Sequence, residues 1–91
     1  MIGVKDIFMS REKNRIVYEF IFENEEMAKL AKQAIKANIH TIIPQGFDKL
    51  IKEIEIEQTG NKIIQTFVMK NEKVAECLFY LIKEVQSEVS E

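Results

Sequence analysis

The period of the hydrophobic pattern changes along the chain, and each change marks an element. Arg15 to Glu23 reads RIVYEFIFE, with Ile16, Tyr18, Phe20 and Phe22 on one parity. Alternation over aromatic and β-branched residues predicts a strand. The opposite parity, Arg15, Val17, Glu19 and Ile21, is half apolar. Lys49 to Asn71 holds two further runs around Thr59-Gly60-Asn61. In the first, Ile54 and Ile56 share one face and Glu53, Glu55 and Glu57 the other, the period of a half-buried strand. Gly60 can reach positive φ without strain, so the two runs predict a tight hairpin. The return run, Ile63 to Met69, is apolar on both parities except at Gln65 and Thr66, which leaves its inward face open.

Two stretches shift to a period of 3.6. Asn24, followed by Glu25 and Glu26, predicts a helix start: a side-chain oxygen for the orphan N–H groups, then acids at the positive dipole end. Met27, Leu30, Ala31, Ala34, Ile35 and Asn38 follow at helical spacing, with Lys29, Lys32, Gln33 and Lys36 on the other side. Asn71-Glu72 repeats the start signal, and Val74, Cys77, Leu78, Leu81, Ile82 and Val85 form a second stripe. Between the two lies Asn38 to Asp48, where Pro44 and Gly46 interrupt regular structure. Ile42, Ile43 and Phe47 make that loop apolar enough to pack down.

Residues 2–9, IGVKDIFM, have β character and suit either an edge strand or an ordered arm; Ser10 to Asn14 reads as a charged turn. The tail, 87–91, is expected to fray. The two halves share a strand-then-helix plan, but no internal repeat is visible. The expectation is one α+β domain over 1–91, built on a small antiparallel sheet in the order β-α-β-β-α. Strands fall at 15–22, 50–58 and 62–70, with 1–14 as an extra strand or arm. Helices near 25–38 and 72–86 lie on one face of the sheet.

Composition narrows the function classes. The 91 residues are 46% hydrophobic and 31% charged, with three Gly and one Pro, which suits a soluble globular domain. Lys and Glu supply most of the charge and Ile is heavily used, a mix that suits a thermophile. The net charge of −2 argues against tight autonomous binding of nucleic acid, which draws its affinity from phosphate neutralisation. A single cysteine, Cys77, builds no disulfide framework. The opening MIGVKDIFMSREKNR lacks the apolar region of a signal peptide, and no run approaches a membrane span, so the cytoplasm is the expected compartment.

Candidate chemistry is sparse. His40 is the only histidine, and Asp48 is its nearest acid in sequence, so a structural or exposed role fits better than a general base. Cys77, inside the second helix stripe, reads as a small buried hydrophobe without a histidine to activate it. Glu53, Glu55 and Glu57 could form an acidic docking strip or cation site, yet a solvated sheet face explains them as well. Lys29, Lys32 and Lys36 likewise read as a solvated helix face. No nucleophile–base pair points to an enzyme, and no cofactor or metal is expected.

Two features point instead to association. Ala75 and Phe79 lie about 100–140° from Val74 around the second helix, off its stripe, with Tyr80 on the opposite flank. Val17 and Ile21 face away from the helices, and a two-layer domain this small cannot cover both faces. Val17, Ile21, Ala75, Phe79 and Tyr80 are therefore the candidate partner-binding residues. The alternative is that the N-terminal arm covers the strand and the Ile42–Phe47 loop covers the helix flank.

The strand-into-helix stretch FIFENEEMAKLAKQAI and the hairpin-into-helix stretch EIEIEQTGNKIIQTFVMKNEKVAECL, within Arg15 to Gln86, resemble the small dimerising subunit of the KEOPS complex, the CTAG/Pcc family. In that family the last helix opens with an arginine and carries a polar asparagine–serine step. Here those places hold Ala75, Phe79 and Tyr80, which fits a diverged paralogue that pairs with the usual subunit. The resemblance implies a non-catalytic subunit of the machinery that makes threonylcarbamoyladenosine on tRNA. Such a subunit forms a homodimer or a heterodimer with a related small subunit, docks on the ATPase-fold catalytic subunit, and meets tRNA only indirectly. A stand-alone KH-like RNA binder is the competing class, but it requires a GXXG loop that this chain lacks.

Overall fold

A computed structural model describes residues 3–42 and 46–89, without the side chains of 39–42, 47 and 85–89. Its elements are β1 (Val4–Glu12), β2 (Arg15–Phe22), α1 (Glu25–Ile42), a 3-10 turn (Phe47–Leu50), β3 (Ile51–Thr59), β4 (Lys62–Met69) and α2 (Glu72–Val89). The four strands form one antiparallel sheet in the order β1-β2-β4-β3, with both helices on one face, the expected α+β class.

Several boundaries differ from the expectation. The N-terminal segment is a full edge strand, and it runs through Ser10 to Glu12, so that only Lys13 and Asn14 form the turn. α1 continues past Asn38 to Ile42, and the backbone of α2 stays helical to Val89 where a frayed tail was expected. The packing expected of Ile42, Ile43 and Phe47 lies outside the described residues and side chains.

The register places Ile16, Tyr18, Phe20 and Phe22 of β2 on the helix-facing side, together with Ile63, Gln65, Phe67 and Met69 of β4. That settles the inward face of the return strand. Two cores form beneath the helices. Under α1, Phe22 and Ile63 meet Ala28 and Ile35; under α2, Ile16 and Met69 meet Ala75. Both helices begin as predicted, the Met27 N–H donating to Asn24 Oδ1 at 2.9 Å and the Val74 N–H to Asn71 Oδ1 at 2.8 Å.

The chain is an internal duplication, contrary to the expectation of no repeat. A constant offset of 47 residues (61 − 14) carries Asn14 to Asn61, Ile16 to Ile63, Phe20 to Phe67, Asn24 to Asn71 and Ala28 to Ala75. The same offset maps the β-bulge at Val4/Asp6 onto the one at Ile51/Glu53. It also maps Lys13, at φ 56°, onto Gly60, at φ 60°, the first position of each two-residue turn. β2 and β4 therefore meet across a pseudo-twofold axis through the paired Tyr18 and Gln65, the one cross-strand pair that the offset maps onto itself. Each half is a hairpin followed by a helix. Side chains at most positions have diverged, so the repeat hides in sequence and survives in backbone bonding.

Candidate functional site

The face of the sheet away from the helices is the surface that the fold leaves open. The register puts Asp6, Phe8, Ser10 and Glu12 of β1 beside Ile21, Glu19, Val17 and Arg15 of β2. These continue through Lys62, Ile64, Thr66 and Val68 of β4 to Thr59, Glu57, Glu55 and Glu53 of β3. Val17 and Ile21 lie on this face as expected, and both remain half-buried. The N-terminal segment does not cover them. It joins the sheet at its edge as β1 and widens the open face, adding Phe8, which is 56% exposed.

Two ion pairs tie strands of this face together, one between the central strands and one reaching the outer strand β3. Arg15 Nη1 on β2 meets Glu55 Oε1 on β3 at 3.0 Å, reaching across β4. Lys62 Nζ on β4 meets Glu19 Oε1 on β2 at 2.6 Å. Val68, in register with Arg15, and Thr66, in register with Glu55, are 6% and 8% exposed although no helix packs on them. The long stems of the ion-paired residues account for that partial cover. Neither ion pair uses Asp6, Glu12, Glu53 or Glu57, which all stand on the two outer strands. The face thus has an apolar centre, internally neutralised, between two acidic margins.

The helix side presents a different surface. Ala75 is fully buried against Ile16 and Met69, which removes it from the partner-binding set. Helical spacing from Val74 put it off the stripe, but α2 rolls so that Ala75 sits in its buried face, flanked by Val74, Leu78 and Phe79. The opposite flank of the predicted stripe turns outward for the same reason: Cys77, expected in the core, is exposed, and Leu81 is 58% exposed. Leu30, at the position of α1 equivalent to Cys77, is 66% exposed. Phe79 packs on the second core and carries Lys83 Nζ at 4.9 Å from its ring centroid, a cation–π contact. Tyr80 is 62% exposed. Together with Met9, Ser10, Arg11 and Lys83 these two aromatics border an open hollow of about 310 Å³.

Tyr18 sits on the axis, stacked on Phe20 at 6.0 Å and edge-on to Phe67 at 5.9 Å, and burial pushes its phenol above the ordinary value of 10.0. Among the described residues no group of three or more His, Cys, Asp or Glu side chains could hold a metal ion, so Glu53, Glu55 and Glu57 do not converge on one. The side chain of His40 lies outside those described. No described helix is long and apolar enough to cross a membrane.

Sequence reasoning missed Phe8, Ile64 and Val68 as members of the open face, and the acids of β1 as its second margin. The signal was present: aligning the halves at the 47-residue offset makes 4–12 a counterpart of β3 and fixes its parity. Comparison with protein-family models, curated proteins and solved structures finds no match to this chain.

Proposed function

We propose that the protein is a non-catalytic pairing subunit, similar in role to the small subunit of the tRNA-modifying KEOPS complex, and works by stacking its open sheet face on a partner. The observation that carries this reading is the half-apolar face itself. Phe8, Val17, Ile21 and Ile64 share it with two ion pairs that tie down the polar side chains between them. Four strands about 4.8 Å apart and eight residues of about 3.3 Å offer on the order of 500 Å² in projection. Stacking two such faces approaches the roughly 1,000 Å² that a specific interface needs. Exposed apolar area forfeits about 25 cal/mol per Å² while it stays wet, so coverage is strongly favoured.

The helical layer supplies a second surface on the opposite side, with Leu30, Tyr80 and Leu81 exposed and Phe79 at its border. In this reading it docks on the ATPase-fold catalytic subunit while the sheet pairs, and tRNA is met only through the assembly. The resemblance at FIFENEEMAKLAKQAI supports that assignment of partners. Reconstitution tests it: the chain, a KEOPS-type small subunit and the catalytic subunit are mixed and separated by size-exclusion chromatography. Co-elution of all three is the expected result. A chain that elutes alone from every mixture overturns the assignment.

A further inference from the structure

The register positions of the open face carry six carboxylates, Asp6, Glu12, Glu19, Glu53, Glu55 and Glu57, and two cations, Arg15 and Lys62, with the exposed bulge lysines Lys5 and Lys52 beside Asp6 and Glu53. Arg15 and Lys62, on the central strands, are spent on Glu55 of β3 and Glu19 of β2. What remains is Asp6 and Glu12 along β1 and Glu53 and Glu57 along β3, an acid excess on each outer strand even with Lys5 and Lys52 counted. The whole chain is −2, and its net acid falls on the one sheet face left without a helical cover.

This distribution restricts what can lie there. Two copies stacked in aligned fashion have two symmetric options. A twofold axis along the strands lays β1 on β3; an axis across them lays β1 on β1 and β3 on β3. Each option sets acid against acid at both margins, across a gap of about 10 Å, comparable to the Debye length at 0.1 M salt. Like charges facing across an interface act against the pairing and select other partners. The same charge rejects a nucleic-acid backbone.

Resting on the pairing role proposed above, we infer that the occupant of this face is not a second copy of the chain but a different protein, whose apolar sheet face is bordered by lysine or arginine on its outer strands. The acidic margins act as a selector against self-pairing, while Phe8, Val17, Ile21 and Ile64 supply the adhesive centre.

The chain itself can be turned into the complementary partner. A fourfold variant, Asp6→Lys, Glu12→Lys, Glu53→Lys and Glu57→Lys, reverses the margins and leaves both ion pairs and the apolar centre intact. All four positions are exposed, so the fold should tolerate it, and circular dichroism checks that it does. Sedimentation velocity at 20 mM and 500 mM salt then compares wild type alone, the variant alone and their equimolar mixture. The expected result at low salt is a mixed pair at least about tenfold tighter than either self-pair, as complementary margins imply. That advantage should shrink at high salt and vanish when Ile21→Lys is present in both chains. Wild type that self-pairs as tightly as the mixture overturns the selector while the pairing role stands. If no sample associates at any salt, the face is not a pairing surface and both readings fall.

Discussion

Asn14 and Asn61 occupy equivalent turns of the two halves, and each grips the last residue of the other half's inner strand. The Asn14 carbonyl accepts from the Met69 N–H at 2.8 Å, and its side-chain Nδ2 donates to the Met69 carbonyl at 2.8 Å. Asn61 does the same at Phe22, with distances of 2.8 and 2.9 Å. These clamps close the chain just before each helix starts and join the halves across the pseudo-twofold axis. Asn14→Ala or Asn61→Ala loses a part-buried side-chain bond and should cost about 1 kcal/mol, a fall of about 4–8 °C in Tm for a domain of this size. A thermal melt unchanged by either substitution would remove the clamp from the account.

The equivalence of Ala28 and Ala75 makes a second prediction. Both are fully buried beneath their helices, so Ala75→Leu forces apart α2 and the sheet and should destabilise by about 1–3 kcal/mol, with Ala28→Leu behaving alike. Cys77 is the contrast. Its exposed thiol should react with Ellman's reagent in the native state as fast as in urea, and Cys77→Ser should change stability by less than about 0.5 kcal/mol. Protection of the thiol in the native state would show that α2 is rotated from the position described.

Tyr18 gives the protein an alkaline limit. Burial raises its pKa, so above about pH 10 the unfolded chain releases a proton that the folded chain still holds. Stability is therefore full below pH 10 and falls as pH rises through the folded value. Urea midpoints measured from pH 8 upward should show the fall in wild type and a smaller one in Tyr18→Phe. Equal slopes in the two proteins would contradict it.

Lys13 stands at φ 56° where the other half has glycine. A side chain in that region costs about 1–2 kcal/mol, offset in part by the greater entropy glycine brings to the unfolded chain. Lys13→Gly should therefore stabilise by up to about 1 kcal/mol, measured by urea denaturation; a loss of stability would refute the strain.

Much of this architecture was legible in the residue pattern, because each element obeys a local rule. β2 alternates cleanly, and both helices open on an asparagine followed by glutamate. The limits were equally physical. Ile2 to Met9 alternates weakly because the bulge between Val4 and Asp6 breaks the parity of β1. β4 is central, so both its faces are apolar and only the register reveals which side meets the helices. Helical spacing drew a stripe but not its roll on the sheet, and hence put Ala75 outside and Cys77 inside. The duplication escaped notice because Phe8 answers to Glu55 and Tyr18 to Gln65, pairs that share position and not chemistry. Val17 and Ile21 were found because one parity of a strand is a local property. The acidic margins needed the neighbouring strands.

The central claim is that pairing uses the open sheet face, and sedimentation velocity of the chain mixed with a KEOPS-type small subunit tests it most directly. The comparison runs wild type against the double substitution Val17→Lys with Ile21→Lys, and against Phe79→Glu on the helical side. The expected result is a one-to-one pair that the two lysines dissolve and that Phe79→Glu leaves intact. A pair that survives both lysines, or a wild-type chain that stays single at millimolar concentration with that subunit present, would contradict it.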